Sequence, residues 1–208
     1  SKTHTGGDVA FFSYTDSDLD ARGYLDYDKN FNRPVALTNV VAMFGNDGAF
    51  AALKADGSVE IFGWGTKGGN LNWFRSADYT AANGAVDLSS GVVSIVYGER
   101  AFAALKSDGS VEAWGDTGGL PDPPITSGAV KIYSTQFAFA ALFSDGSVQV
   151  WGNEWLGGPD HFPGISSGAV NIYSTKRAFA ALKSDGSVIS WGETKTVTFP
   201  NSGIGAGT

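Results

Sequence analysis

The chain has 208 residues, of which 42% are hydrophobic and 13% aromatic, enough apolar surface for a packed core and too much for a disordered tail. A formal charge of −7 with no run of Lys or Arg removes the counterion release that drives binding to a phosphate backbone, so no nucleic-acid partner is expected. The absence of cysteine excludes disulfides, thiolate metal sites and cysteine nucleophiles, and it leaves the compartment open between cytoplasmic, organellar and extracytoplasmic.

In chain order, Ser1-Lys2-Thr3-His4-Thr5-Gly6 lacks the apolar stretch of a secretory signal, and the first methionine is Met43, which reads as processing from a longer precursor or as a piece of one. No window reaches the ~20 apolar residues of a membrane-spanning helix, although a partner within a membrane complex stays compatible. Val9-Ala10-Phe11-Phe12-Ser13-Tyr14, after Gly6-Gly7-Asp8, reads as a degenerate half-repeat over residues 1–38. Within it Asp16, Asp18 and Asp20 alternate like the start of a calcium-binding EF-hand loop. The match decays at Ala21 and Tyr27, where such a loop needs glycine and a bidentate glutamate, so a solvated acidic loop is the default and calcium the candidate cofactor.

Self-similarity decides the fold. Four segments, from Ala49, Ala101, Ala138 and Ala178, share the text AFAAL, two further residues, then DGSV. Asp-Gly between apolar runs is a hairpin signal, read here as a two-residue type I′ turn joining two antiparallel strands. Upstream of each pair stands a third apolar segment, such as Val92-Val93-Ser94-Ile95-Val96-Tyr97 or Ala129-Val130-Lys131-Ile132-Tyr133. The turn residues Asp56, Asp108, Asp145 and Asp185 are spaced 52, 37 and 40 residues apart, close to the length of one propeller blade. Complete repeats are expected over residues 39–91, 92–128, 129–168 and 169–192, with a half-repeat tail over 193–208. The alanines of AFAAL are expected to let strands crowd around the axis. Trp64, Trp114, Trp151 and Trp191, each followed by glycine, are expected in the core.

This wording, V-x-I, then AFAAL-x-x-DGSV-x-x-W-G, resembles the regulator-of-chromosome-condensation repeat and is similar to the propeller-type β-lactamase inhibitors; the resemblance covers about residues 39 to 192. It implies an all-β chain, a β-propeller of tandem antiparallel blades with four complete repeats plus terminal half-repeats. Those half-repeats complement one another, which allows a five-bladed ring with a composite blade; the seven blades usual in the family would make the chain a fragment.

No nucleophile elbow, phosphate-cradling loop or HExxH motif is present, and His4 and His161 stand in unrelated contexts, so an enzyme is not expected. The residues outside the repeat are the informative ones. Trp73, Phe74, Arg75 and Tyr79 lie in the insertion that lengthens one unit, and Trp155, His161 and Phe162 lie in a second loop. Aromatics and arginine on loops of a rigid scaffold are what protein interfaces use as anchors. The expectation is a non-catalytic interaction or scaffolding propeller, an accessory subunit of a larger assembly. The resemblance adds two alternatives: guanine-nucleotide exchange on a small GTPase, for which no exchange wedge or basic tail is recognisable, and inhibition of a secreted enzyme.

Overall fold

The computed structural model describes residues 31–32, 37–71, 86–116 and 120–193. Among them the chain forms four antiparallel sheets that follow one another in sequence, the blades of a β-propeller. The two-residue β1 (Phe31–Asn32) pairs with the outer edge of the first blade, which contains β2 (Val40–Gly45), β3 (Ala49–Lys54) and β4 (Val59–Trp64). The second blade is β5 (Val92–Tyr97), β6 (Ala101–Lys106) and β7 (Val111–Gly115), and the third is β8 (Ala129–Ser134), β9 (Ala138–Phe143) and β10 (Val148–Gly152). The fourth is β11 (Ala169–Ser174), β12 (Ala178–Lys183) and β13 (Val188–Gly192). The rest of the two terminal half-repeats, and with them the composite blade they would form, lies outside the described residues.

AFAAL is the middle strand of every blade, which corrects the expectation that its alanines crowd the axis. The strands that neighbour one another across blades are β2, β5, β8 and β11, so these lie innermost. The alanines answer a different demand. Side chains alternate across a strand, so Ala138, Ala140 and Leu142 face the following blade while Phe139 and Ala141 face the preceding one. Between the third and fourth blades, Ala138, Ala140, Leu142, Val148 and Val150 meet Ile172, Phe179, Ala181 and Trp191. The second and third blades meet in the same way, and so do the first and second. Small side chains on one face make room for an aromatic pair on the next.

That pair is set by register. Phe102 stands opposite Trp114, Phe139 opposite Trp151 and Phe179 opposite Trp191, with ring centroids 5.3, 5.5 and 5.3 Å apart. In the first blade Phe50 pairs with Phe62, which therefore fills the position expected for Trp64. Trp64 lies two residues further on and is 46% exposed. The signature there is Phe62-Gly63, not Trp64-Gly65, because the repeated position is fixed by its pairing with the middle strand and an aromatic displaced from it loses that place in the core.

The Asp-Gly hairpins also differ from the expected two-residue turn. Gly57 N–H donates to the Lys54 carbonyl (3.0 Å) and Lys54 N–H to the Ser58 carbonyl (2.9 Å), enclosing a three-residue loop, Ala55-Asp56-Gly57. Within it only Gly57 has a positive φ, +79°, which is a type I turn closed by a glycine bulge. Asp56 Oδ1 accepts from the backbone N–H of Ser58 at 2.9 Å and from its hydroxyl at 2.7 Å, and Asp108, Asp145 and Asp185 repeat the arrangement with Ser110, Ser147 and Ser187. Each residue of the Asp-Gly-Ser text thus has its own role.

The turn glycine also stitches one repeat to the next. The Gly57 carbonyl accepts from Val92 N–H at 2.9 Å, and the carbonyls of Gly109 and Gly146 accept from Ala129 and Ala169 at 3.0 Å. The approach is close: a Cβ at Gly146 would stand 2.5 Å from the Gly168 nitrogen, whereas at Gly186, with φ +83°, it would meet nothing within 4 Å. Gly186→Ala is therefore expected to cost only the left-handed strain, about 1 kcal/mol. Gly146→Ala should lose at least about 1 kcal/mol more through overpacking. Urea unfolding of the two variants measures the difference, and equal losses would show that the stitch contributes nothing.

The turn carboxylates contribute to the acid response. Serine donors hold Asp56, Asp108, Asp145 and Asp185 below the usual carboxylate range, and Asp87 is lowered likewise by Ser89 and then by Lys106. A folded-state pKa below the unfolded value stabilises the fold above the unfolded pKa of ~3.9, and that stability is lost as pH falls through the folded value. Half-buried Glu112, raised by desolvation, acts in the opposite sense. Stability is expected to be nearly flat from neutral pH to about 5 and to fall below about 4. Replacing the four turn aspartates by asparagine should flatten that fall, as thermal melts across the acid range would record.

Candidate interaction surface

Each blade ends at one rim with the same backbone latch. The outer strand carries a glycine of positive φ at or next to its end (Gly63, Gly115, Gly152, Gly192), and the next N–H donates back to the residue before AFAAL. Trp64 bonds Gly48 (2.8 Å), Asp116 bonds Arg100 (3.0 Å), Asn153 bonds Phe137 (2.8 Å) and Glu193 bonds Arg177 (2.9 Å). The latch is a backbone interaction, so the side chain at its head is free to vary. Two blades add an ion pair across it, Arg100 to Asp116 at 3.6 Å and Arg177 to Glu193 at 2.7 Å.

From this rim the loop after β10 rises as two short 3-10 turns, Glu154–Leu156 and Pro159–His161. Asn153 caps the first by accepting from Trp155 N–H at 3.1 Å. Gly157 then adopts φ +111° and lies flat on Phe179, where a Cβ would come within 2.7 Å of the ring. Its carbonyl accepts from Trp191 Nε1 at 3.1 Å, and the hydroxyl of buried Thr135 donates to the Leu156 carbonyl at 2.9 Å. The same device recurs where Trp114 Nε1 donates to the Gly68 carbonyl at 3.1 Å, with Gly68 placed against Phe102. A loop pinned from below by a core tryptophan holds its upper side chains in place without needing strands of its own.

Those side chains separate into two groups. Trp155 is 69% exposed and its ring lies 5.1 Å from that of His161, tilted by 41°. Phe162 is partly buried and packs edge-on against Trp191 at 5.1 Å, joining the core cluster of the last two blades. Trp155 and His161, together with Gly192 and Glu193, line an open cleft of about 340 Å³. Trp73, Phe74, Arg75 and Tyr79 lie outside the described residues, as do Asp16, Asp18 and Asp20. Among the described residues no three His, Asp or Glu side chains gather to hold a metal, and no helix is long and apolar enough to cross a membrane.

Sequence reasoning did not single out Glu193 or Arg177, and it expected Trp64 in the core. Their one signal was position, immediately after the closing glycine, where each repeat carries a different residue, or before AFAAL, where Gly48, Arg100, Phe137 and Arg177 stand.

A search with family models finds no match, and a search among curated proteins finds none either. Solved structures do match. Prp20p from Saccharomyces cerevisiae, which is yeast RCC1, is 18% identical with a TM-score of 0.50, over 74% of this chain and 44% of that one. The ectodomain of the Arabidopsis thaliana receptor kinase ACR4 is 19% identical, TM-score 0.48, over 78% and 55%. Human WBSCR16 is 20% identical, TM-score 0.45, over 74% and 47%. The chain thus spans about half the length of these solved structures. The likeness to Prp20p bears on the fold alone, a β-propeller.

Trp191→Phe would remove the hydrogen bond that holds Gly157 and leave that carbonyl without its donor. It is expected to cost roughly 2–3 kcal/mol and to speed amide exchange across residues 153–162. Thermal melts and hydrogen-exchange mass spectrometry check both, and an unchanged loop would refute the pinning.

Proposed function

We propose that this chain is a non-catalytic protein-interaction propeller, an accessory or scaffolding part of a larger assembly, and that it engages its partner through the loop carrying Trp155 and His161. One observation carries the reading: a large aromatic is exposed on a loop whose base is fastened to the core by Gly157, Trp191 and Thr135. A tryptophan held in place before binding buries much area at little further entropic cost, which is the character of a hot spot. An unfastened loop would lose part of that gain to ordering. Trp73, Phe74, Arg75 and Tyr79 are proposed as a second set of contacts on the inserted loop.

Prp20p binds Gsp1p and histones, so protein partners are a known use of this fold. Guanine-nucleotide exchange on a small GTPase and inhibition of a secreted enzyme remain the alternative readings. Affinity capture from the source organism separates them: a stoichiometric assembly supports scaffolding, a GTPase released by GTP supports exchange, and a secreted hydrolase supports inhibition. Trp155→Ala should lower recovery of the captured partner at least tenfold or so, since hot-spot truncations cost about 2 kcal/mol or more. Near-ultraviolet circular dichroism confirms that the fold is kept, and undiminished recovery would overturn the role of this loop.

A further inference from the structure

The cleft beside Trp155 has a definite chemical character. One wall is the exposed indole with His161 tilted against it, and Gly192 and Glu193 supply the rest of the lining. Glu193 gives its Oε2 to Arg177 Nη1 at 2.7 Å. Glu154 and Asp160 stand exposed on the same loop, and the whole chain carries −7. At about 340 Å³ the cleft is near the lower end of ligand pockets, which run ~300–1,000 Å³. That is room for one side chain.

Three classes of occupant can be weighed on this lining. An anion would meet the Glu193 carboxylate in the lining, with Glu154 and Asp160 elsewhere on the same loop, while Arg177 is already engaged by Glu193. A neutral apolar group would gain from the indole but do nothing for the carboxylate. A cation suits both, because the face of an indole carries the negative end of its quadrupole and Glu193 keeps a second carboxylate oxygen, Oε1, beyond the one that pairs with Arg177. Between the two cationic side chains, a guanidinium is planar and weakly hydrated. It can stack on the ring while its N–H fork points in plane at an oxygen, whereas an ammonium loses more hydration for less contact.

We infer that the Trp155–His161–Glu193 cleft receives an arginine side chain from a basic segment of the partner protein. The inference rests on the interaction reading above and names the chemistry of that partner. The acidic chain attracts the segment, Trp155 stacks on the guanidinium, and Glu193 fixes its orientation.

The test uses the full chain labelled with nitrogen-15, following the tryptophan indole N–H resonances, with that of Trp155 assigned by its loss in Trp155→Phe. The probes are an acetylated, amidated Gly-Gly-Arg-Gly-Gly peptide, its citrulline counterpart, which keeps the shape without the charge, and a Pro-rich peptide. The Trp155 resonance is expected to shift saturably with the arginine peptide while those of Trp114 and Trp191 stay in place. The citrulline peptide and the Glu193→Gln variant should each bind about fivefold more weakly, as for loss of an exposed ion pair worth up to ~1 kcal/mol. A thermal melt confirms that Glu193→Gln is folded.

Equal shifts with arginine and citrulline, no shift with arginine, or a stronger response to the Pro-rich peptide would each overturn the inference. If arginine fails while Trp155→Ala still loses the captured partner, the interaction loop stands and only its ligand chemistry falls. If Trp155→Ala also leaves capture intact, both readings fall.

Discussion

Everything in this chain hangs on the way one blade meets the next. The middle strand offers alanines and a leucine to the blade that follows and a phenylalanine to the blade before it, and Ala138, Ala140 and Phe139 are all fully buried at 0% exposure. Sheets packed face to face need interdigitating side chains of unequal size, since two large faces would hold the sheets apart and two small ones would leave voids. The five-letter text AFAAL meets that requirement on both faces of one strand. Its cross-strand partner, Trp114, Trp151 or Trp191, fills the space that the alanines of the preceding blade leave.

Around that stacking, the backbone supplies the joints. At one end of each of the first three blades the Asp-Gly-Ser turn brings a glycine carbonyl against the start of the next repeat, close enough that a Cβ at Gly146 would collide. At the other end the closing glycine latches the chain to the residue before AFAAL. Joints made from main chain constrain few side chains, and this is what separates structure from function here. The rim residues Trp64, Asp116, Asn153 and Glu193 share one backbone role and have four different surface chemistries. A fold built this way can change its surface without disturbing its core.

The loop after β10 extends the same logic outward. Trp191 is a core side chain by burial, yet its indole N–H reaches up to the Gly157 carbonyl, and the aromatic cleft of Trp155 and His161 stands on that bond. Electrostatics act on top of a fixed geometry. The Arg177–Glu193 pair is exposed on both sides and adds little stability.

What the sequence determined by itself was whatever repeats: the strands, the hairpins, the succession of blades and the core positions of Trp114, Trp151 and Trp191 can all be read from a text written four times. The single deviation in that text, Phe62-Gly63-Trp64, misleads because two neighbouring aromatics look equivalent until strand pairing assigns one inward and one outward. The turn type misleads for a related reason: Asp-Gly suits both a two-residue turn and a three-residue turn with a glycine bulge, and all four hairpins close as the latter, through bonds such as Lys54 N–H to the Ser58 carbonyl. Only the tertiary structure placed AFAAL in the middle of the sheet, sent Phe162 inward to Trp191 while leaving Trp155 outside, and set Glu193 beside an aromatic 38 residues earlier in the chain. Periodicity reports contacts made within a repeat, whereas the cleft is made between a loop of one blade and the last strand of the next, a pairing that exists only once the blades have stacked.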